Sequence, residues 1–140
     1  MGLPKVVLRE KLLEFLKEDV GMGDVTSEAI VPLGLRAEAH VVTNEQCVVA
    51  GLSEAKTLFE ILDIKVVRSV KDGDEVRPDT VIAEITGKGR AILAAERSAL
   101  NLLSRMSGIA TATKRLVEKV REHKCNLRIA ATRKTAPGLV

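Results

Sequence analysis

Aromatic side chains are almost missing from this 140-residue chain: it has two Phe, no Trp and no Tyr. A core of ordinary size must therefore be aliphatic, and single-stranded nucleic acid has no platform on which its bases could stack. Cysteine is equally scarce. Cys47 and Cys125 stand alone, without CxxC or Cys/His spacing, which reads as two reduced, buried thiols of a cytoplasmic protein rather than a disulfide or metal site. No apolar run approaches the ~20 residues needed to cross a bilayer, and the stretch from Met1 to Val7 has no apolar core of a secretory signal. Charge of one sign is not in excess. Lys and Arg number 22 against 19 Asp and Glu, a net +3, too little to argue for nucleic acid. No membrane partner is expected either.

What is present is an aliphatic, ordinary composition (46% hydrophobic) with clear periodicity. Residues 6–18 carry Leu8, Leu12, Leu13, Phe15 and Leu16 at helical spacing, ended near Gly21-Met22-Gly23-Asp24. Ser27 is placed to cap a short turn through Ile30. Residues 36–43 alternate as a half-buried strand, and Val48 and Val49 extend a second, ended by Gly51. Ser53 is placed to cap a helix to Leu62 whose apolar face is Leu58, Ile61 and Leu62. Strands at 64–70 and 81–85 flank the Lys71-Asp72-Gly73-Asp74 turn, and Gly87 and Gly89 close the second. From Ala91 the period becomes 3.6. One helix is expected up to an interruption at Ser107-Gly108, and another to Lys124 with Leu116, Val117 and Val120 inside. A last apolar strand follows at 127–132.

Three places could carry chemistry. Glu96 falls among Ile92, Ala99 and Leu103 in the apolar stripe. A carboxylate there needs a cationic or hydrogen-bonding partner, because burying it alone costs several kcal/mol. Arg97 stands at the stripe's edge, either in an ordinary ion pair or with its guanidinium reaching a cleft. Arg133 and Lys134, between Thr132 and Thr135, follow the last strand and precede Pro137-Gly138. Two cations beside hydroxyls suit a phosphate or carboxylate, and in β/α barrels the loops at strand C-termini build the active site; a solvated loop is the plainer reading. Gly87-Lys88-Gly89-Arg90 lacks the full phosphate-loop pattern and reads as a tight turn into a helix. His40 and His123 have no ligand or carboxylate at useful spacing and read as structural or surface residues.

Four blocks carry a resemblance. They are Gly23-Asp24-Val25-Thr26-Ser27, the run from Gly89 to Asn101 (Gly-Arg-Ala-Ile-Leu-Ala-Ala-Glu-Arg-Ser-Ala-Leu-Asn), Ser107-Gly108-Ile109-Ala110-Thr111, and the run from Thr132 to Leu139. In this order and spacing they resemble quinolinate phosphoribosyltransferase, also called nicotinate-nucleotide pyrophosphorylase (carboxylating). The resemblance implies an α+β fold: a hammerhead-like mixed N-terminal domain over 1–108, then a linking helix and the first strand of an otherwise absent β/α barrel over 109–140. It implies a phosphoribosyltransferase that acts on quinolinate and phosphoribosyl pyrophosphate with Mg²⁺, in a homodimer or higher oligomer. It implies that Arg97 reaches the neighbouring subunit's active site, and that Thr132, Arg133 and Lys134 line the substrate site at the first barrel strand. No catalytic residue and no metal ligand is carried over. Val140 stands where the family usually has arginine. The rest of the family's barrel lies beyond Val140, so this chain alone is expected to be inactive and its tail disordered, swapped or packed on a partner.

Rival readings stay open at this point. Residues 70–85 are similar to the turn-and-strand pattern of biotinyl or lipoyl carriers, although no modifiable lysine motif stands at the turn. A related transferase-like protein of molybdenum transport, a nicotinate-preferring enzyme and a purely structural interaction domain are the others.

Overall fold

The computed structural model describes residues 4–21, 25–123 and 126–132. α1 (Lys5–Val20) begins after Pro4, whose ring presets the backbone for a helix start, and ends at Gly21 with φ 52°. It buries Leu12 and Leu16, one turn apart. A short α2 (Val25–Ile30) follows. β1 (Arg36–Val42), β3 (Lys65–Ser69) and β5 (Val81–Lys88) form an antiparallel sheet in the order β1-β5-β3. Between them come β2 (Cys47–Val48), α3 (Leu52–Ile61) and β4 (Glu75–Val76), with β2 and β4 paired as a separate two-stranded ribbon. α4 (Gly89–Glu122) is the last element.

The alternation seen in the sequence sets the sheet's two faces. Ala39 pairs with Ile85, and Ile85 with Val66, on the inner side; Arg36, Glu38 and His40 point out. A register shift between Val66 and Arg68 throws Val67 into solvent. The inner face packs against α3 and α4, and α1 closes over both helices. Phe59, Leu12, Leu52, Leu58 and Val49 are the largest fully buried side chains. Each contributes about 1.5–3 kcal/mol by leaving water. The core is aliphatic as composition required, with one of the two phenylalanines at its centre.

The mixed α+β architecture is the expected one, and most elements fall where the periodicity places them. Four local expectations need correction. Ser53 does not cap α3. The cap position is Gly51, at φ 90°, and the first N–H groups are taken by a distant carboxylate: Leu52 and Ser53 donate to Asp72 at 2.8 and 3.2 Å. The 71–74 turn is thereby fastened to α3, and Gly73 N–H adds a bond to the Val49 carbonyl at 2.8 Å. It is not a free hairpin tip of the carrier kind.

The second correction is that β5 does not stop at Gly87. It runs to Lys88, because Gly87 lets Ile64 approach so closely that a Cβ would sit 3.3 Å from it. Helix α4 then starts at the next residue. Third, Ser107-Gly108 breaks nothing: α4 is continuous across it. A helical glycine costs only about 1 kcal/mol, and Ser107 is held to the Ala50 backbone. Fourth, residues 126–132 are exposed and pair with neither sheet. A strand needs a neighbour's backbone to bond, and neither sheet of the described residues supplies one to 127–132.

Candidate functional site

Helix α4 organises every candidate residue. Its buried face is Gly89, Ala95, Ser98, Ala99, Leu103 and Ser107. Glu96 is exposed, contrary to its expected burial. The stripe is centred on Ala95 and Ala99 rather than on Ile92 and Leu103, and Glu96 follows Ala95 by about 100° round the axis. It therefore needs no partner, and it has none among the described residues. Arg97 lies about 160° from Ala95. It is exposed and makes no hydrogen bond or ion pair with the described residues. The ordinary buried ion pair weighed for these two residues is absent. A guanidinium held free on a stiff helix is what presentation to another surface requires.

The residues around Arg97 are anything but free. Ser98, 6% exposed, donates a hydrogen bond to the half-buried Asp19 carboxylate in the last turn of α1. At the helix start, Arg90 Nε donates to the Val31 carbonyl at 2.6 Å, and Gly89 N–H to the Leu35 carbonyl at 2.8 Å. The Gly87-Lys88-Gly89-Arg90 segment thus passes from strand to helix without a turn, and one of its N–H groups is already taken.

One turn beyond Arg97, α4 and the 43–46 connection enclose a cleft of about 560 Å³. Its floor is apolar, from Val41, Ile82 and Leu103, and its charged lining residues are Glu45 and Arg115. Cys47 opens onto it, half-buried, with Sγ 3.7 Å from Thr43 Oγ1. Cys125 lies outside the described residues. Arg97 is not among the lining residues.

Ser107 and Thr111, quoted above only as part of a motif, form a polar seam between α4 and the β2 segment. Ser107 Oγ accepts from Ala50 N–H at 3.1 Å and lies 3.2 Å from the Ala50 carbonyl, to which it can donate. Thr111 Oγ1 accepts from Val48 N–H at 2.9 Å and donates to the Ser107 carbonyl at 2.7 Å. Hydroxyls at i and i+4 on a helix share one face; that spacing was the sequence signal for this docking. The seam sits against Gly51, where a Cβ would come within 2.6 Å of Met106 Sδ.

The residues after α4 are less defined by contacts. Thr132 is exposed, in the irregular 126–132 segment. Arg133 and Lys134 lie outside the described residues. Arg97 and the end of α4 are separated by twenty-five residues of helix, about 37 Å, and nothing joins Arg97 to Thr132. Among the described residues, no group of three or more His, Cys, Asp or Glu side chains could hold a metal ion, and every buried side-chain N or O atom has a partner. No helix among the described residues is long and apolar enough to cross a membrane.

Comparison with known proteins places this geometry. The family model described as "Quinolinate phosphoribosyl transferase, N-terminal domain" matches residues 24–107. The chain is 41% identical over 137 residues to a probable nicotinate-nucleotide pyrophosphorylase [carboxylating] of Methanocaldococcus jannaschii, covering 95% of this chain and 48% of that protein. It is 42% identical over 127 residues to quinolinate phosphoribosyltransferase [decarboxylating] 1b of Nicotiana tabacum, covering 89% and 35%. The crystal structure of NadC from Streptococcus pyogenes superposes with a TM-score of 0.90 at 31% identity, over 99% of this chain and half of that one. The chain thus spans between a third and a half of the length of these relatives. With the model matched across the whole stretch from α2 to the Ser107 seam, this chain belongs to the quinolinate phosphoribosyl transferase family, through that family's N-terminal domain.

Proposed function

We propose that this chain forms the N-terminal domain of a nicotinate-nucleotide pyrophosphorylase (carboxylating), a cytoplasmic phosphoribosyltransferase of NAD biosynthesis. The reaction moves phosphoribosyl from phosphoribosyl pyrophosphate to quinolinate. The pyridine nitrogen bonds to ribose C1 as pyrophosphate leaves, and loss of CO₂ gives nicotinate mononucleotide. The family match over 24–107 carries this reading, and Arg97 supplies its chemistry. Quinolinate presents two carboxylates on a flat ring, and a guanidinium fork binds a carboxylate through two parallel N–H···O bonds.

An exposed Arg97, with about 37 Å of helix between it and the chain leading to Thr132, suits a site shared by two copies. One copy contributes Arg97, and the other contributes Thr132, Arg133 and Lys134. Such a division calls for a homodimer or higher homo-oligomer. Mg²⁺ supplies charge neutralisation for the departing pyrophosphate when bound. The described residues do not fit it, so none of them is assigned to the ion.

A graft tests the reading. Residues 1–140 replace the matching half of the M. jannaschii relative, and nicotinate mononucleotide is measured from quinolinate, phosphoribosyl pyrophosphate and Mg²⁺. The graft is expected to turn over. Arg97→Ala is expected to raise the KM for quinolinate at least about tenfold, the worth of one charge-assisted hydrogen bond. A folded graft that makes no product overturns the reaction. An unchanged quinolinate KM in Arg97→Ala overturns the role of that arginine.

A further inference from the structure

We propose that Ser98 and Asp19 are positioning residues that fix the direction of Arg97; the proposal rests on the reading of Arg97 given above. Arg97 and Ser98 are adjacent on α4, about 100° apart round its axis, so one stands in solvent and the other in the contact with α1. Whatever fixes the roll of the helix at Ser98 fixes the bearing of Arg97.

The other buried groups at this level cannot do so. Ala95 and Ala99 are smooth, and their contacts are non-directional. The other interlocking features lie about two turns or more away: the Arg90–Val31 and Gly89–Leu35 bonds before Arg97, and Met106 against Gly51 and the Ser107–Ala50 bonds after it. The Ser98–Asp19 hydrogen bond is the directional contact beside Arg97, and a carboxylate acceptor makes it a strong one. Asp19 is also poorly explained by α1 itself. Aspartate is a weak helix former, and a negative charge in the last turn opposes the helix dipole. Its anchorage is good, because Leu12 and Leu16 hold α1 in the core.

The sensitivity is large. The Cα atoms lie about 2.3 Å from a helix axis, and an extended arginine places its guanidinium roughly 9 Å from it. A roll of about 10° then moves the guanidinium by about 1.5 Å. An error of about 1 Å in such a group can cost a hundredfold in rate.

Two measurements test this. In the 140-residue chain, with Cys47 and Cys125 changed to serine, nitroxides are placed at Arg97→Cys and Glu38→Cys, and their separation is read by pulsed electron paramagnetic resonance. One narrow distance is expected with Ser98 or with Ser98→Thr, and a broadened or displaced one with Ser98→Ala or Asp19→Ala. Should Ser98→Ala not fold, Asp19→Asn weakens the same bond while keeping an acceptor. An unaltered narrow distance in the folded variants overturns the proposal.

In the grafted enzyme, Ser98→Ala is expected to raise the quinolinate KM about tenfold, to leave the KM for phosphoribosyl pyrophosphate unchanged, and to be rescued by Ser98→Thr. In an Arg97→Ala background it is expected to add nothing further. Equal losses in both backgrounds reduce Ser98 to a structural residue and overturn the proposal. If Arg97→Ala alone leaves quinolinate binding intact, the substrate role of Arg97 fails instead, and the nitroxide distances still decide whether Ser98 and Asp19 orient it.

Discussion

The two halves of α4 have the same backbone and opposite surroundings. Up to Ser107 the helix is embedded, with Ala95, Ser98, Ala99 and Leu103 shut away from water. Beyond Gly108 no residue of it is buried, and Ile109 and Leu116 are more than half exposed. Thr111 to Val48 and Lys114 to Glu75 tie its first turns to the domain. The contrast separates two things that periodicity merges. A helix continues because each further residue adds a hydrogen bond to a nucleus already formed, with help from pairs such as Lys114–Glu118 at 3.4 Å. Whether its apolar stripe is covered depends on what else lies beside it.

The sharpest way to break the comparison is to shorten one leucine in each half. Leu103→Ala is expected to cost about 2–5 kcal/mol, through lost transfer energy and a cavity. Leu116→Ala is expected to cost under about 0.5 kcal/mol. Urea denaturation monitored by circular dichroism gives both, and equal costs would mean that the outer half is covered in solution.

Next in size is the seam. Ser107→Ala or Thr111→Val takes a partner from the Ala50 or the Val48 backbone, and each is expected to cost about 1–3 kcal/mol. Amide exchange should speed at residue 50 or at residue 48 respectively, while the amides of β5 keep their protection. Uniform acceleration would show instead that the seam is not local.

The smallest effect is electrostatic. Hydrogen bonding to Glu75, first of all, holds the Lys114 ammonium above the ordinary lysine range, assisted by Glu118. A raised lysine stabilises the fold at all pH values below its unfolded range, and loses that contribution as pH climbs through the folded value. Both side chains are well solvated, so the midpoint of unfolding should hardly move. An NMR titration should nevertheless find Lys114 deprotonating later in the folded than in the urea-unfolded chain, and Glu75→Gln should remove most of the delay. Coincident titrations would dissolve the link between β4 and the outer helix.

How much of this was legible in the sequence follows the range of the forces. α1, β1 and β3 were visible because periodicity is local; α4 was visible only as two helices, since Ser107-Gly108 reads locally as a break that the structure does not make. The family was visible because its four blocks are contiguous. What escaped depends on residues far apart along the chain. Asp72 caps α3 from 20 residues away, and Ala50 meets Ser107 across 57. Glu96 was misplaced by about a quarter turn, because the centre of a helical stripe depends on which neighbour presses hardest, and here two alanines permit the closest approach. Arg97 could be picked out only through its motif; nothing in its own spacing distinguishes it from a solvated cation. Thr132 is exposed.

No loop separates Lys88 from Gly89. The central strand of the sheet and a helix of 34 residues, about 51 Å long, are thus joined like the short and long arms of a lever. The helix is embedded as far as Ser107, so a tilt of about 5° swings only the outer arm, about 21 Å from Gly108 to Glu122, and carries the far tip through roughly 2 Å. Small adjustments of the sheet are therefore magnified where the chain leaves the helix toward Thr132.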